Sequence, residues 1–336
     1  MNTDIKILNR LDDVSIIRCI AVLSLVVWHS FCPIMFGECW VTPISDTYRY
    51  FIVRLIPDAN MPLFTFLAGY LFCYQLGKGK YSEFKPFLMS KIHRLLIPFL
   101  VLGTIINFLE YGKDILDLLY GAPNHLWYCL MLFYAFIICW LVEKKVGAWL
   151  NCLLMSLSFG VAFYYGSVWS LWHTIVPGGW EFVAFYYGYF YLGFLIYKYK
   201  DKLFLNKWMM LLLYLACYLF FCKIHLPCGS VVPLRSMSYI MLLFSATNVL
   251  ISDGGGQFAQ SKPVQILNQY SFGIYVFHQW ILWNVSHIPY TRDGLRPFME
   301  THYIIAPICI VMTVLFLSLI LTHFSLKTKT GRYLLC

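Results

Sequence analysis

An arginine and a histidine lie within the first apolar segment of the chain, with ten residues between Arg18 and His29. A separation of eleven residues is close to three helical turns, so both side chains share a helix face about 16 Å apart. Ionisable groups are costly inside a membrane and usually mark a functional site. A guanidinium suits phosphate binding and an imidazole suits general-base chemistry. The alternative is a snorkelling arginine and a histidine hydrogen-bonded inside the helix bundle.

A second basic motif, Lys91-Ile-His93-Arg94, precedes the third apolar segment. Arg94 directly abuts the apolar run, so it is expected at a membrane depth similar to that of Arg18. Two guanidiniums at one depth suit phosphate groups. Lys85 and Lys91 also fit ordinary positive flanking of a membrane span. Lys91 is nevertheless counted with the candidate phosphate-binding residues.

An aromatic motif, Asn124-His125-Leu-Trp127-Tyr128, lies at the expected outer end of the fourth segment. A ring that stacks on a sugar, with polar groups for its hydroxyls, makes His125 and Trp127 candidates for binding an acceptor. The same residue types are common in the interfacial belt of membrane proteins.

Tyr275 and His278 are three residues apart and share a helix face. The ninth apolar segment is expected to begin at 272. His278 would then lie in its cytoplasmic half, which makes it a candidate for cofactor binding. The alternative is a buried histidine with an ordinary hydrogen-bond partner.

Three carboxylates expected near the outer surface, those of Asp58, Glu110 and Glu181, are candidates for orienting His29. Asp58 and Glu181 are also candidate acceptor-binding groups. Asn60, Tyr275 or a backbone N–H is expected to stabilise an oxyanion. The residue pattern does not choose among these groups.

The composition is that of an all-α, polytopic membrane protein, because 60% of residues are hydrophobic, 12% are charged and the mean hydropathy is +0.68. We expect a single transmembrane domain over residues 1–336, with no appended soluble domain and about ten spans. Their expected extents are 14–34, 58–76, 94–110, 124–142, 147–167, 180–198, 208–222, 236–251, 272–290 and 304–324.

The segments between the predicted spans lie alternately on the two sides of the membrane. Those on one side hold seventeen basic residues, those on the other hold seven, and Arg18 lies within a span. This bias places both termini in the cytoplasm. The net charge of +9 therefore needs no nucleic acid and suits anionic membrane lipids. No CxxC pair occurs, so no metal site is expected. Residues 252–271 are expected to form a flexible linker or, alternatively, a loop that contacts CoA.

The motifs resemble, in order and spacing, the membrane-bound acyltransferase 3 family over essentially the whole chain. They are Leu11-Asp12 with Arg18-x10-His29, Pro62-Leu-Phe-Thr-Phe-Leu-Ala-Gly69-Tyr, Arg94-x3-Pro98, His125-Leu-Trp127-Tyr128 and Ser271-Phe-Gly-Ile-Tyr275-Val-Phe-His278. The chain departs from the pattern at Ala68, where a serine is common.

The resemblance implies a multi-pass O-acyltransferase of the bacterial cytoplasmic membrane. Such enzymes move an acyl group, usually acetyl from cytoplasmic acetyl-CoA, to a sugar hydroxyl outside, on a surface polysaccharide or a lipid-linked precursor. In this chain His29 would be the base, with Arg18 in the catalytic set and also near the CoA phosphates.

The competing hypothesis is a transporter of polysaccharide precursors or a proton-coupled carrier of small solutes, which also needs buried histidine and arginine. No inverted repeat is visible in the sequence, although many carriers have one. The cations are expected on the cytoplasmic side of the membrane and the carboxylates on the outer side. This separation suits two different ligands and therefore also favours an enzyme.

Overall fold

The computed structural model describes residues 11–31, 59–111, 118, 124–166, 178–203, 206–224, 231–287, 302 and 305–335. This part of the chain is built of helices and contains no strand. The all-α prediction is therefore confirmed. The helices are α1 Asp12–Phe31, α2 Asn60–Gly77, α3 Phe84–Lys91, α4 Ile97–Tyr111, α5 Trp127–Lys145, α6 Ala148–Tyr165, α7 Trp180–Leu203, α8 Lys207–Lys223, α9 Val231–Leu250, α10 Gly256–Ala259, α11 Lys262–His287, α12 Ile305–Lys327 and α13 Lys329–Leu335.

Six helical stretches of the described chain are long and apolar enough to cross a membrane. They are Asp12–Ser30, Phe84–Leu109, Trp127–Lys145, Ala148–Tyr165, Val231–Ala259 and Ile308–Lys327. A multi-pass membrane protein is thus supported. Helices α2, α7, α8 and α11 overlap the four remaining predicted segments. The count of ten spans and the cytoplasmic position of the termini stay predictions.

Helices α2 and α7 pack with their backbones in contact, because each has a glycine at the crossing. A Cβ on Gly69 would overlap the carbonyl of Phe190, and one on Gly193 would overlap the carbonyl of Phe66. A glycine in a membrane helix favours such close approach, and Gly69 and Gly193 provide it here. This contact joins α2, which carries one wall of the cavity described below, to the aromatic interior of the bundle.

A turn of π-helix, Ile92–Leu96, joins α3 to α4 without a break. Arg94 therefore lies inside a continuous helical stretch, whereas the predicted third span began only at residue 94. π-Helical turns insert an extra residue into an α-helix and often occur at functional sites. Here the turn carries His93 and Arg94.

The prediction of a flexible linker at 252–271 is wrong, because the segment is largely helical. A π-helical turn, Ile251–Gly255, continues α9, and α11 already begins at Lys262. The helical backbone is broken at Asp253 and Gly254, where Gly254 has a φ of 93° in the left-handed region that glycine adopts readily, and again at Gln260 and Ser261.

Helix α11 runs beside α1 in the same direction. Asn268 Nδ2 donates to Cys19 Sγ at 3.4 Å, which sets Asn268 level with Cys19, and it also donates to the carbonyl of Ser15 at 3.0 Å. Since the rise per residue is equal in both helices, this register brings His278 level with His29.

Candidate functional site

His29 and His278 form a direct hydrogen bond. His29 Nδ1 lies 2.8 Å from His278 Nε2, and the two rings stack with centroids 4.9 Å apart. The sequence placed His278 in a cytoplasmic half-span with the cofactor-binding residues. Because α11 begins ten residues earlier than expected, at Lys262 rather than 272, His278 lies instead beside His29.

His278 is completely buried, with none of its side chain exposed. Its Nδ1 lies 2.7 Å from the carbonyl oxygen of Tyr275 and 3.0 Å from that of Ile274, within its own helix. Both ring nitrogens therefore have partners. The expectation of a buried, hydrogen-bonded histidine describes its surroundings correctly, but the partner at Nε2 is a second titratable ring.

His125 completes a cluster of three histidines. Its ring lies 5.4 Å from that of His278 in an edge-to-face arrangement, and its Nε2 donates to the carbonyl of Val276 at 3.0 Å. The hydroxyl of Tyr275 donates to the carbonyl of His125. This hydroxyl, predicted to bind an oxyanion, is thus engaged in tying α11 to the start of α5.

A cavity of about 260 Å³ opens between α1, α2, the α3–α4 stretch, α5 and α11. Three cationic side chains line it: Arg18, Lys91 and Arg94. Arg94 is exposed, Arg18 is half-buried and Lys91 is buried. The described lining contains no carboxylate. The arrangement suits an anionic ligand that enters past an exposed arginine.

The cavity lining includes Tyr128 and Tyr275, whose ring centroids lie 5.8 Å apart. His278 is three residues beyond Tyr275 on the same helix, which is roughly 4.5 Å along its axis. The cavity lining and the histidine cluster are therefore about one helical turn apart on α11. Ala68, the position that departs from the family pattern, lies in the cavity wall.

Lys91 lies in a cage of aromatic rings. It is 6% exposed, and no described carboxylate lies within ion-pair distance of its ammonium group. Its Nζ lies 3.5 Å from the ring centroid of Phe136, 4.9 Å from Tyr81, 5.7 Å from Phe72 and 5.8 Å from Phe87. Ordinary positive flanking of a span, which leaves the charge in water, does not describe this lysine.

Two further predicted site residues, Asn60 and Trp127, are not part of the described cavity lining. Asn60 is 5% exposed and joins α2 to α1 through a 3.5 Å hydrogen bond from Nδ2 to the carbonyl of Ser24. Trp127 is 7% exposed and its ring stacks on Phe182 at 4.3 Å. The face that we expected Trp127 to offer a sugar is therefore covered by the protein.

None of the three carboxylates predicted to orient His29 is seen in contact with it. Asp58 lies outside the described residues, as does the side chain of Glu110. Glu181 is half-buried at the start of α7, and its Oε2 has no hydrogen-bond partner in the described structure. In the part of the chain that is described, the group that contacts His29 Nδ1 is His278.

The family comparison matches residues 11–323 of the chain to the acyltransferase domain of the acyltransferase 3 family. Comparisons with curated proteins and with solved structures found no match. The matched range contains every residue of the cavity and of the histidine cluster. It favours an acyltransferase over the transporter hypothesis, which no observation in the described structure supports. The chain therefore belongs to the acyltransferase 3 family and is a multi-pass membrane protein.

Proposed function

We propose that the protein is a membrane O-acyltransferase that takes an acyl group, by default acetyl, from acyl-CoA. The acceptor is a hydroxyl of an extracytoplasmic sugar, in a surface polysaccharide or a lipid-linked precursor of a bacterial cell envelope. The observation that carries the proposal is a cavity that is lined by three cations and by Tyr275, which lies one helical turn from His278 and its partner His29.

The cations match the polyanionic head of acyl-CoA. Arg94 is exposed and is positioned to meet phosphates outside the cavity, while Arg18 and Lys91 meet negative charge further in. A volume of about 260 Å³ is near the lower end for ligand pockets and suits the thin pantetheine arm rather than the nucleotide. The thioester then passes the rings of Tyr128 and Tyr275 to reach His29.

His29 is the proposed general base. Its ring is half-buried, and in the described structure its Nε2 has no hydrogen-bond partner. A sugar hydroxyl is a weak nucleophile near neutral pH, so its proton must be removed as it attacks. The acceptor oxygen bonds to the thioester carbonyl carbon and its proton moves to His29 Nε2. The C–S bond then breaks, His29 returns the proton to the sulfur, and CoA leaves as the thiol.

Sugar binding is assigned to the outer end of the bundle, near His125. Its Nδ1 is buried and has no hydrogen-bond partner in the described structure, so it offers an acceptor for a hydroxyl. Asp58, Glu181 and Trp127 stay candidates from the sequence. Of these, Trp127 would need to exchange its stack with Phe182 for one with a sugar ring.

The proposal is tested by supplying labelled acetyl-CoA to purified protein in nanodiscs, together with cell-envelope glycan. We expect label to appear in the glycan and an equal amount of CoA thiol to be released. Succinyl-CoA serves as a second donor that tests the acyl group. Movement of glycan precursor across a vesicle membrane without thioester consumption would support a transporter and overturn the proposal.

A charge test separates CoA binding from chemistry. Arg18→Met and Arg94→Met remove one cation each from the cavity lining, whereas Lys85→Met removes an exposed lysine outside it. Loss of a hydrogen bond to a charged group costs about 1.5–3 kcal/mol, so each arginine variant should bind CoA roughly 10- to 150-fold more weakly. Equal affinities for CoA in all three variants would show that the cavity is not part of the CoA-binding site.

A further inference from the structure

We infer that His278 is a positioning residue that fixes the tautomer and the orientation of His29. This gives His29 an imidazole partner where the sequence led us to expect a carboxylate. The catalytic meaning of the inference rests on the proposed function, but the proton arrangement itself does not.

The hydrogen bonds determine which nitrogen carries each proton. Carbonyl oxygens only accept, so His278 Nδ1, which contacts the carbonyls of Tyr275 and Ile274, must carry a hydrogen. In a neutral imidazole the other nitrogen, Nε2, is then an acceptor. It lies 2.8 Å from His29 Nδ1, which therefore donates. The lone pair of His29 is left on Nε2.

The neutral form of His278 follows from its surroundings. The side chain is fully buried, and no carboxylate of the described structure contacts it. The neighbouring rings are those of His29, His125 and Tyr275, at 4.9, 5.4 and 6.2 Å. An unpaired charge is strongly disfavoured in such an interior. A neutral ring held by two backbone carbonyls is the form in which every nitrogen of His278 is satisfied.

This arrangement does for His29 what a carboxylate does in other relays. His278 holds Nδ1–H of His29, which leaves the basic Nε2 on the other side of the ring from His278. Once Nε2 has taken a proton, His278 accepts a stronger, charge-assisted hydrogen bond from Nδ1–H. Because His278 is anchored to its own helix, the orientation of His29 depends on the packing of α11 against α1. The stacking of the two rings at 4.9 Å adds to that constraint.

Two substitutions of His278 distinguish the effect of its hydrogen-bond acceptor from the effect of its ring. His278→Gln keeps a carbonyl oxygen near the position of Nε2, so it can still accept from His29 Nδ1–H. His278→Phe keeps a ring but has no acceptor. The carbonyls of Tyr275 and Ile274 stay bonded within the helix in both variants. His323→Phe makes the same chemical change at an exposed histidine of α12 and serves as the control.

Nitrogen-15 NMR of histidine-labelled protein reports the tautomer directly, with the His29 signals identified by their loss in His29→Gln. We expect the Nδ1–H form of His29 in the wild type, in His278→Gln and in His323→Phe. We expect the Nε2–H form, which free histidine prefers in water, in His278→Phe. An Nε2–H signal for His29 in the wild type would overturn the inference.

Kinetics provide the second readout. Loss of general-base catalysis costs roughly 10²- to 10⁴-fold, so His278→Phe should lower kcat by that range and leave the KM for acetyl-CoA unchanged. His278→Gln should retain most of the activity. Equal losses in both variants would count against a positioning role. If the wild type shows the Nδ1–H form but consumes no acyl-CoA, the inference stands and the proposed function fails.

Discussion

Replacing Lys91 with methionine is expected to stabilise the protein and, at the same time, to weaken its binding of CoA. The ammonium group is 6% exposed among aromatic rings, and none of the described carboxylates forms an ion pair with it. Burying an ion without a counter-ion costs several kcal/mol, of which cation–π contacts return about 2 kcal/mol. An anionic ligand bound in the cavity would supply the counter-charge that the described residues do not.

The size of both effects follows from this burial. Replacing buried charges with apolar side chains stabilises proteins by about 1–4 kcal/mol, which corresponds to a melting temperature roughly 2–8 °C higher. Methionine keeps an unbranched, flexible chain without the charge. Loss of the hydrogen bond from Lys91 to a phosphate should weaken CoA binding about 10- to 150-fold.

The assay is thermal unfolding in nanodiscs, followed by intrinsic fluorescence with and without CoA, together with calorimetric titration of CoA. Lys85→Met is the matched control, because Lys85 is exposed on the same helix and lies outside the cavity lining. It should change the stability by less than about 0.5 kcal/mol and leave CoA affinity unchanged. A lower melting temperature for Lys91→Met, or an unchanged CoA affinity, would refute the reasoning.

Three further predictions concern the helix contact and the cavity wall. Gly69→Ala should lower the stability by about 1–3 kcal/mol, because the added Cβ would overlap the Phe190 carbonyl. Gly160→Ala adds its Cβ to open space beside α6 and should raise the stability by up to ~1 kcal/mol. Melting curves that rank the two variants in the opposite order would contradict the packing. Ala68→Ser adds one hydroxyl to the cavity wall and should keep acetyl-CoA turnover. An inactive, folded variant would contradict the space assigned to the cavity. Tyr275→Phe should lower kcat less than about tenfold, because its hydroxyl is already bonded to the protein; a loss of about 10²- to 10³-fold would instead make Tyr275 an oxyanion donor.

The first helix could be predicted from sequence because its apolar run is continuous. Arg18 and His29 lie on that helix as expected, since a spacing of eleven residues fixes their relative positions. The close helix packing at Gly69 could also be predicted, because a glycine in a membrane helix usually marks such packing. These features depend on neighbours along the chain, which a single sequence displays.

The partner of His29 could not be read in the same way. The first turns of α11 contain Gln265, Asn268 and Gln269, so hydropathy places the start of the segment about ten residues too late. One of these polar residues, Asn268, bonds to the backbone of α1. That register, which sets His278 beside His29, is a property of two packed helices rather than of either sequence segment.

The cage around Lys91 is also a tertiary feature. Its rings come from α2, from the turn after it, from α3 and from α5, and nothing in the spacing of Phe72, Tyr81, Phe87 and Phe136 shows that they meet. From the sequence alone, Lys91 is a lysine next to a membrane span. The positive-inside rule accounts for such a lysine without a binding site.

The central claim is that acyl-CoA bound in the cationic cavity reacts at His29. The most direct measurement is a single-turnover experiment with purified wild type and His29→Gln, recording acetyl-CoA binding and CoA release in the same sample. We predict equal affinities and a rate of CoA release at least about 10²-fold lower in His29→Gln. Release at the wild-type rate from the variant, or no binding of acyl-CoA by the wild type, would contradict the account.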